Sequence, residues 1–234
     1  MQATISENLS DILTQISTAA KNVDRSKDTV SLIAVSKKQS PELMNEYHLV
    51  AKEAGIPVCF GENYVQEYKA KLPLLTPGYE VHLIGPLQSN KVREAVKLFD
   101  LIQSVHSLKI VELVVKEATR ANKKQRILLQ INISSDDQKS GFTPAELSEV
   151  LAKYKDAPSI KIEGCMTITA LYNDAEQIRA DFRSLTTLVN EVFTQQHGIH
   201  NPTISMGMSS DFGAAIEEGS TMVRIGTALF GERL

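Results

Sequence analysis

Cysteine is scarce in this sequence, since Cys59 and Cys165 are the only two among 234 residues. Each lies in an apolar, strand-like run, which is typical of buried thiols in a reducing compartment and not of a disulfide framework. Histidine and cysteine also lack the spacing of metal ligands, so we expect no bound metal. These absences exclude disulfide-stapled domains and structural zinc modules.

A large excess of charge of either sign is also lacking. The chain carries 25 lysines and arginines against 28 acidic residues, a formal net charge of -3, which argues against a nucleic-acid partner. The first residues, MQATISENLSDILTQ, have neither a basic start nor a continuous apolar stretch, so we expect no secretion signal and no membrane-spanning segment. These features favour a cytoplasmic protein that binds a small solute and has no membrane partner.

The sequence does contain a regular alternation of apolar strands and amphipathic helices. Residues 1–24 are predicted to form an N-terminal helix, because Ile5, Leu9, Ile12 and Ile16 recur at spacings of three and four. Strand-like runs then follow along the rest of the chain. They are 30–36, 57–60, 80–84, 100–105, 127–133, 160–166, 203–206 and 221–225.

Seven helical stretches separate these eight strands. Alternation of this kind predicts a parallel sheet, and eight strands in about 230–250 residues fit a closed barrel better than an open doubly wound sheet. We therefore predict one α/β domain over residues 1–234, a single (β/α)8 TIM barrel with an extra N-terminal helix. The predicted helices are 41–54, 62–75, 88–98, 107–121, 144–155, 174–196 and 211–218.

Polar residues are concentrated where the predicted strands end. Lys37 closes strand one, Asn63 follows strand two, His82 lies in strand three and Arg224 lies in strand eight. In a barrel of this type the functional site is built from the carboxyl ends of several strands. We therefore expect these four side chains near one rim of the barrel.

The last two strands run into segments that suit an anion. In MGMSSDFGAAI, Gly207 permits a tight turn, and Ser209 offers a hydroxyl beside the backbone N–H groups at the start of a helix. In VRIGTALFG, Gly226 and Thr227 open a final helical turn on the same rim. Barrel phosphate sites are often formed by the loops after strands seven and eight, which is where these segments fall.

The lysine, the anion cradle and the arginine together suit pyridoxal 5'-phosphate (PLP). Its aldehyde forms an imine with an amine, its phosphate needs N–H and hydroxyl donors, and its ring nitrogen needs a partner. An arginine as that partner, Arg224 here, would leave the ring nitrogen unprotonated and weaken the electron sink.

Five stretches in this order resemble the pyridoxal phosphate homeostasis protein family, PLP-binding barrels similar to the N-terminal domain of alanine racemase. They are spread over nearly the whole chain, and the set is specific although each stretch alone is weak. The stretches are AVSK (34–37), FGENYVQE (60–67), HLIGPLQSNK (82–91), LLQINIS with KSGF (128–142) and SMGMSSDFGAAIEEGSTMVRIGTALFGER (205–233).

The resemblance implies a role for each matching residue. Lys37 would form the internal aldimine and Arg224 would face the pyridine nitrogen. Three residues would hold the phosphate, and two would lie near the cofactor. The phosphate set is Ser209, Gly226 and Thr227, and the nearby pair is Asn63 and His82. Lys38-Gln39 and the stretch CMTI (165–168) depart from the usual family pattern, which would alter the outer wall of the pocket.

The resemblance also implies a fold and a role for the whole chain. The fold would be the type III PLP fold without the second β domain that supplies another catalytic residue in alanine racemase-like enzymes. We therefore expect a PLP carrier or regulator with little or no turnover and no catalytic residues. Its partners would be PLP and related B6 vitamers, with PLP-dependent apo-enzymes as candidate recipients. A monomer is expected, and a weak dimer stays open.

Other interpretations of the same residues stay open. Lys37 and Lys38 are also typical of two solvated surface lysines, although inward-facing Ile33 and Val35 would turn Lys37 inward. His82 is compatible with a core histidine. Two further sets are also compatible with helix caps: Glu62 with Asn63, and Ser209 with Ser210 and Asp211. Tyr64 and Tyr68 are assigned to core packing.

Two other functions compete with the carrier. One is a small PLP-dependent amino-acid racemase or lyase, which turnover of L- or D-amino acids would reveal. The other is a phosphate-binding metabolic barrel unrelated to PLP, which the lack of an imine absorption band would reveal.

Overall fold

The computed structural model describes residues 3–134, 140–169 and 174–231. Its eight strands pair in parallel with their sequence neighbours, and β8 pairs with β1 to close a barrel. This confirms the predicted (β/α)8 architecture. The strands are β1 (Ser31–Val35), β2 (Cys59–Glu62), β3 (Glu80–Leu83), β4 (Leu101–Val105), β5 (Gln125–Gln130), β6 (Ile160–Met166), β7 (Thr203–Ser205) and β8 (Met222–Ile225).

Helices alternate with the strands, as the sequence periodicity predicts. In three of them part of the predicted length is not α-helix: 3-10 turns occupy Leu72–Leu74 and Ser89–Lys91, and a π-helical segment spans Asn190–Gln196. The α-helices are α1 (Ile5–Lys21), α2 (Pro41–Glu53), α3 (Val65–Lys71), α4 (Val92–Leu98), α5 (Leu108–Arg120), α6 (Pro144–Tyr154), α7 (Ala175–Val189), α8 (Phe212–Glu217) and α9 (Thr227–Phe230).

Strand alternation separates two apolar regions. Side chains inside the barrel form a small cluster, whereas the alternate residues of the same strands pack outward against the helices in a much larger core. The outer core includes Leu32, Ala34, Val223 and Ile225. The interior cluster consists of Ile33, Cys59, Leu101, Leu128, Met166 and Met222.

The N-terminal helix α1 covers one side of the barrel. Thr4 begins it with a capping box, accepting from the N–H of Glu7 while the Glu7 carboxylate accepts from the N–H of Thr4. The helix packs on α8, α9 and α2, and Asn8 donates to the Leu229 carbonyl across 2.9 Å. Burying each leucine or isoleucine of its apolar face contributes about 1.5–3 kcal/mol. The helix thereby braces the two segments that follow β7 and β8.

The end of β5 differs from its predicted bound of residue 133. The strand ends at Gln130, where the N–H of Phe142 donates to the Gln130 carbonyl and the N–H of Asn132 donates to the Phe142 carbonyl. Backbone bonding to a returning segment therefore ends the strand early. Part of the family stretch that connects them, residues 135–139, lies outside the described residues.

In the part of the chain that the structure describes, no helix combines the length and the hydropathy needed to cross a membrane.

Candidate cofactor site at the carboxyl rim

The Lys37 turn leaves the barrel at the end of β1. Gly61 of β2 pairs with Val35, and a side chain added at Gly61 would meet Ile33 Cγ2 at 2.9 Å and Val35 Cγ2 at 3.6 Å. Ile33 and Val35 therefore share the interior face, as predicted for an inward register. Lys37 itself is half-buried, whereas Lys38 is exposed and has a φ of 60°.

A buried ionic cluster fixes the residues on both sides of Lys37. We name it the Glu62 cluster, and it consists of Ser36, Glu62, Glu67 and Lys71. The Ser36 hydroxyl donates to Glu62 Oε1 across 2.8 Å, and Lys71 Nζ donates to the Ser36 carbonyl across 2.9 Å. The backbone N–H of Lys38 donates to Glu67 Oε1. The turn is thus tied to the protein immediately before and after Lys37.

Within this cluster, Lys71 Nζ is shared between two carboxylates. It lies 3.0 Å from Glu62 Oε1 and 2.6 Å from Glu67 Oε1. Burial raises the pKa of Glu62, while the charge and hydrogen bond of Lys71 oppose that rise. Capping does not explain Glu62 or Asn63, because the N-cap of α3 is Tyr64 and has no side-chain cap bond. Tyr64 is 51% exposed, so its assignment to the core was wrong.

Asn63 lies on the same rim, directly after β2, and is half-buried. The segment after β3 packs on its backbone. A Cβ at Gly85 would lie 2.4 Å from the Asn63 carbonyl oxygen, so only glycine permits this approach. The close contact fixes the Asn63 backbone relative to the end of β3.

The loops after β7 and β8 meet at the Ser209 hydroxyl. The backbone N–H groups of Gly226 and Ala228 both donate to Ser209 Oγ, each across 3.3 Å. Thr227, between them, is exposed and begins α9. Two amide donors that converge on one oxygen at a helix start suit a phosphate oxygen equally well. The anion cradle across these two segments stays a prediction, with which these two donors are compatible.

The preceding turn depends on Gly207. Its φ is 92°, a conformation that L side chains rarely adopt, and an added Cβ would lie 2.6 Å from Ala215 Cβ. Downstream, Asp211 accepts from the Met208 N–H across 2.6 Å. Asp211 occupies the N-cap of α8 but makes no capping bond, and Ser209 reaches the other loop instead. Ser209 therefore does not act as a cap of α8.

Arg224 is inside the barrel, and each of its terminal nitrogens donates one hydrogen bond to a protein acceptor. Nη1 donates to Ser205 Oγ across 2.7 Å, and Nη2 donates to the Thr167 carbonyl across 2.8 Å. Burial lowers the pKa of Arg224 to about 10, and the negative charge of Asp211 opposes that fall. The guanidinium is therefore cationic at neutral pH and donates hydrogen bonds only.

His82 lies within the barrel rather than on the loops of the rim. Its Nδ1 contacts Gln103 Nε2 at 3.0 Å, and its Nε2 contacts Glu80 Oε2 at 3.3 Å. Cys59, Glu80 and His82 place possible metal-ligating atoms within 4.8 Å of one another. Arg126 donates to Glu80 across 3.0 Å, and burial raises the pKa of the Cys59 thiol. These contacts form a polar cluster with an exposed Glu80, and its Glu80 and His82 atoms already have protein partners.

The structure thus brings most of the predicted residues to neighbouring strands. β1 and β8 pair directly, with Ala34 beside Ile225, so the Lys37 turn and Gly226 leave the barrel side by side. A cavity of about 230 Å³ opens across the rim from them, at the ends of β3 to β6. Its lining includes Ile84, His106, Gln130, Asn132 and Ile168.

Sequence reasoning missed the residues that hold this site in place. Ser205 and Gln103 lie in strands that also contain apolar residues, and Lys71 lies in a helix with a second lysine, Lys69. Two-residue alternation along β7 and β8 could have placed Ser205 and Arg224 inside the barrel.

Comparison with known proteins identifies the family. Residues 8–234 match the model of the alanine racemase N-terminal domain. The pyridoxal phosphate homeostasis protein of Aquifex aeolicus is 36% identical over 228 residues, covering 97% of each chain. That of Escherichia coli K12 is 38% identical over 247 residues, covering 98% of this chain and 97% of its own.

A solved structure agrees with the family model and with the curated relatives. PipY of Synechococcus elongatus PCC7942, determined with PLP bound, is 34% identical and superposes with a TM-score of 0.85, covering 97% of this chain and 100% of PipY. The chain therefore belongs to the pyridoxal phosphate homeostasis protein family and has the barrel of the alanine racemase N-terminal domain.

Proposed function

We propose that this chain binds PLP at the carboxyl rim of the barrel and takes part in intracellular PLP homeostasis. The observation that carries the proposal is the meeting of the Lys37 turn with the Ser209 and Gly226 segments, on strands β1, β7 and β8. Relatives that match over nearly their full length and are named pyridoxal phosphate homeostasis proteins support it. PipY with PLP bound supports it as well.

The residues present fit the chemistry of this cofactor. PLP supplies an aldehyde, which condenses with a primary amine and releases water, and a phosphate dianion. In our proposal a phosphate oxygen replaces Ser209 Oγ as the acceptor for the N–H groups of Gly226 and Ala228, and the Ser209 hydroxyl donates to the phosphate. Thr227 lies at the same helix start and contributes its exposed hydroxyl.

Lys37 provides the amine in this proposal. The Glu62 cluster holds Ser36 and Lys38 on either side of it, which restricts where the Lys37 side chain can reach. Lys38 is less suited, because its side chain is exposed on the outward side of the turn. Asn63, held against Gly85, is proposed to border the bound cofactor.

Arg224 is the proposed partner of the ring nitrogen. A guanidinium has no acceptor and keeps its protons at neutral pH, so it can only donate to that nitrogen. A ring nitrogen that accepts a hydrogen bond stays unprotonated, and carbanionic chemistry is then poorly supported. This supports a carrier or regulator in preference to a racemase or lyase.

Purified protein tests the proposal directly. We expect an absorption band from the lysine-bound cofactor and retention of PLP through dialysis. Incubation with L- and D-amino acids should give no sustained racemisation, decarboxylation or elimination. Sustained turnover would make the chain an enzyme, and the absence of any cofactor band after incubation with PLP would favour a phosphate-binding barrel of another kind.

The proposal also covers the location of the protein, the recipients of its cofactor and its oligomeric state. We propose a cytoplasmic location, which the buried free thiols of Cys59 and Cys165 support. PLP-dependent apo-enzymes are the proposed recipients of the cofactor. The proposed oligomeric state is a monomer, which light scattering at several protein concentrations would test.

A further inference from the structure

A continuous chain of hydrogen bonds runs through the barrel interior from Arg224 to Glu80. Arg224 Nη1 lies 2.7 Å from Ser205 Oγ, and Ser205 Oγ lies 2.7 Å from Gln103 Oε1. Gln103 Nε2 then lies 3.0 Å from His82 Nδ1, and His82 Nε2 lies 3.3 Å from Glu80 Oε2. Five polar side chains thus connect Arg224, inside the barrel, to Glu80, whose side chain is 53% exposed at the start of β3. We call them the core chain.

The donor and acceptor of each hydrogen bond in the core chain follow from the chemistry of its members. A guanidinium only donates, so Ser205 accepts from Arg224 and has its one proton left for Gln103 Oε1. The amide nitrogen of Gln103 must then face His82, whose Nδ1 accepts. The remaining imidazole proton lies on Nε2 and is donated to Glu80. Gln103 Nε2 also lies 3.2 Å from Met222 Sδ, a weak acceptor that suits a nitrogen at this place.

Burial makes each link depend on the next. Ser205 and Gln103 are 0% exposed, and His82 and Arg224 are 2% and 4% exposed. A polar group that loses its partner in such surroundings cannot turn to water instead. At the far end, Arg126 donates to Glu80, and the pKa of Glu80 is lowered to about 2, chiefly by its hydrogen bond with His82. Glu80 is therefore a carboxylate acceptor at neutral pH.

We propose that Ser205 and Gln103 are positioning residues, which aim the Arg224 guanidinium at the ring nitrogen of the bound cofactor. This inference rests on the proposed function. Thr167 fixes the other terminal nitrogen through its carbonyl, so the plane of the guanidinium is set by Ser205 on one side and Thr167 on the other. His82 acts at a distance, by fixing the orientation of the Gln103 amide.

Two ligands that differ only at the ring nitrogen test whether Ser205 and Gln103 position Arg224. PLP and 1-deazapyridoxal 5'-phosphate share the aldehyde and the phosphate, but only PLP has the ring nitrogen. We expect Gln103→Leu and Ser205→Ala to weaken PLP retention roughly ten-fold and to leave retention of the deaza compound unchanged, because one directed hydrogen bond to a charged donor is misplaced. Ser104→Ala is the matched control, since Ser104 is 0% exposed in the same region of β4 and its hydroxyl has no hydrogen-bond partner among the described residues.

Nuclear magnetic resonance of the cofactor-free, full-length protein gives an independent readout. Nitrogen-15 shifts should show wild-type His82 protonated at Nε2 and bare at Nδ1. Gln103→Glu should place a proton on Nδ1, because a carboxylate there can only accept. A His82 signal that is protonated at Nδ1 in the wild type would contradict the direction of the core chain.

The two proposals fail in different ways. Equal losses of both ligands in Gln103→Leu and Ser205→Ala, from a wild type that retains both, would overturn the positioning role alone. A wild type that retains neither ligand would overturn the proposed function and this inference with it.

Discussion

Lys71 Nζ lies 3.0 Å from Glu62 Oε1, and both side chains are buried next to the turn that carries Lys37. The pair gives Oε1 of a buried carboxylate a cationic partner, and Lys71 also donates to the Ser36 carbonyl. A structural ion pair and the proposed attachment lysine are therefore parts of one local arrangement.

Replacement of Lys71 tests how much its ion pair with Glu62 stabilises the fold. Lys71→Met leaves the Glu62 carboxylate without its cation, and we expect a loss of about 3–5 kcal/mol in the free energy of unfolding. Urea denaturation measures it. Lys69→Met is the control on the same helix, because Lys69 forms an exposed pair with Glu94 across 2.7 Å and should cost under about 1 kcal/mol. Equal losses in the two variants would contradict a special role for Lys71.

The fold could be predicted largely because strands and helices have different apolar periods. The alternation in β1 puts Ile33 and Val35 on one face, and the structure shows that this face is the interior one. Bounds were less predictable where backbone bonds decide them, as at the end of β5, where Phe142 returns to Gln130. Tyr64 was misassigned because α3 begins at Val65, which leaves Tyr64 outside the buried face of that helix.

The residues at the rim of the candidate site could be predicted from the sequence. The buried residues that hydrogen-bond to Arg224 or to each other beneath it could not. Lys37, Ser209 and Gly226 follow strands, and barrel topology alone brings strand ends together. Gln103 and Ser205, in contrast, are separated by 102 residues in sequence. Their hydrogen bond depends on strand register and barrel stagger, which the residue types do not specify.

Acid stability should depend on Glu80. Its pKa is lowered to about 2 from an ordinary 4.5 by the hydrogen bond with His82 and by Arg126. The folded state therefore binds this proton less tightly than the unfolded state, so the stabilisation is complete above about pH 4.5 and is lost as the pH falls toward 2. Because the side chain is 53% exposed, we expect the ionised Glu80 to contribute only about 1 kcal/mol to the free energy of unfolding.

Comparison of Glu80→Gln with the wild type measures this contribution. Denaturant unfolding at pH 6 and at pH 3 should show a difference between the two proteins that shrinks at the lower pH. Glu53→Gln, at the exposed end of α2, is the control and should show no such change. A constant difference for Glu80→Gln would mean that its ionisation does not stabilise the fold.

The turn before the phosphate segment should tolerate only glycine. Gly207→Ala combines a φ of 92° with a Cβ placed 2.6 Å from Ala215 Cβ. We expect it to lower the free energy of unfolding by about 1–3 kcal/mol. Gly213→Ala is the matched control, since a Cβ there meets nothing within 4 Å and alanine favours the helix by up to about 1 kcal/mol. Thermal unfolding without cofactor distinguishes them, and two equally stable variants would contradict this turn geometry.

Phosphate retention should depend on the Ser209 hydroxyl. Ser209→Ala removes one hydrogen bond to a dianion, about 1.5–3 kcal/mol, or roughly 10- to 100-fold in affinity, while the N–H groups of Gly226 and Ala228 remain. Equilibrium dialysis of PLP measures the loss, and the absorption band should persist at saturating cofactor. Ser210→Ala, at the exposed neighbouring position, should retain PLP normally. Unchanged retention in Ser209→Ala would remove Ser209 from the site.

Reduction with borohydride followed by peptide mass spectrometry identifies the lysine that carries the cofactor, which we propose is Lys37. We expect the pyridoxyl group on Lys37 in the wild type and in Lys38→Ala, and no specific adduct in Lys37→Ala. The Lys37→Ala protein should still fold, since a half-buried residue in a turn contributes little packing. Labelling of Lys38, or of a scatter of surface lysines, would mean that Lys37 does not carry the cofactor.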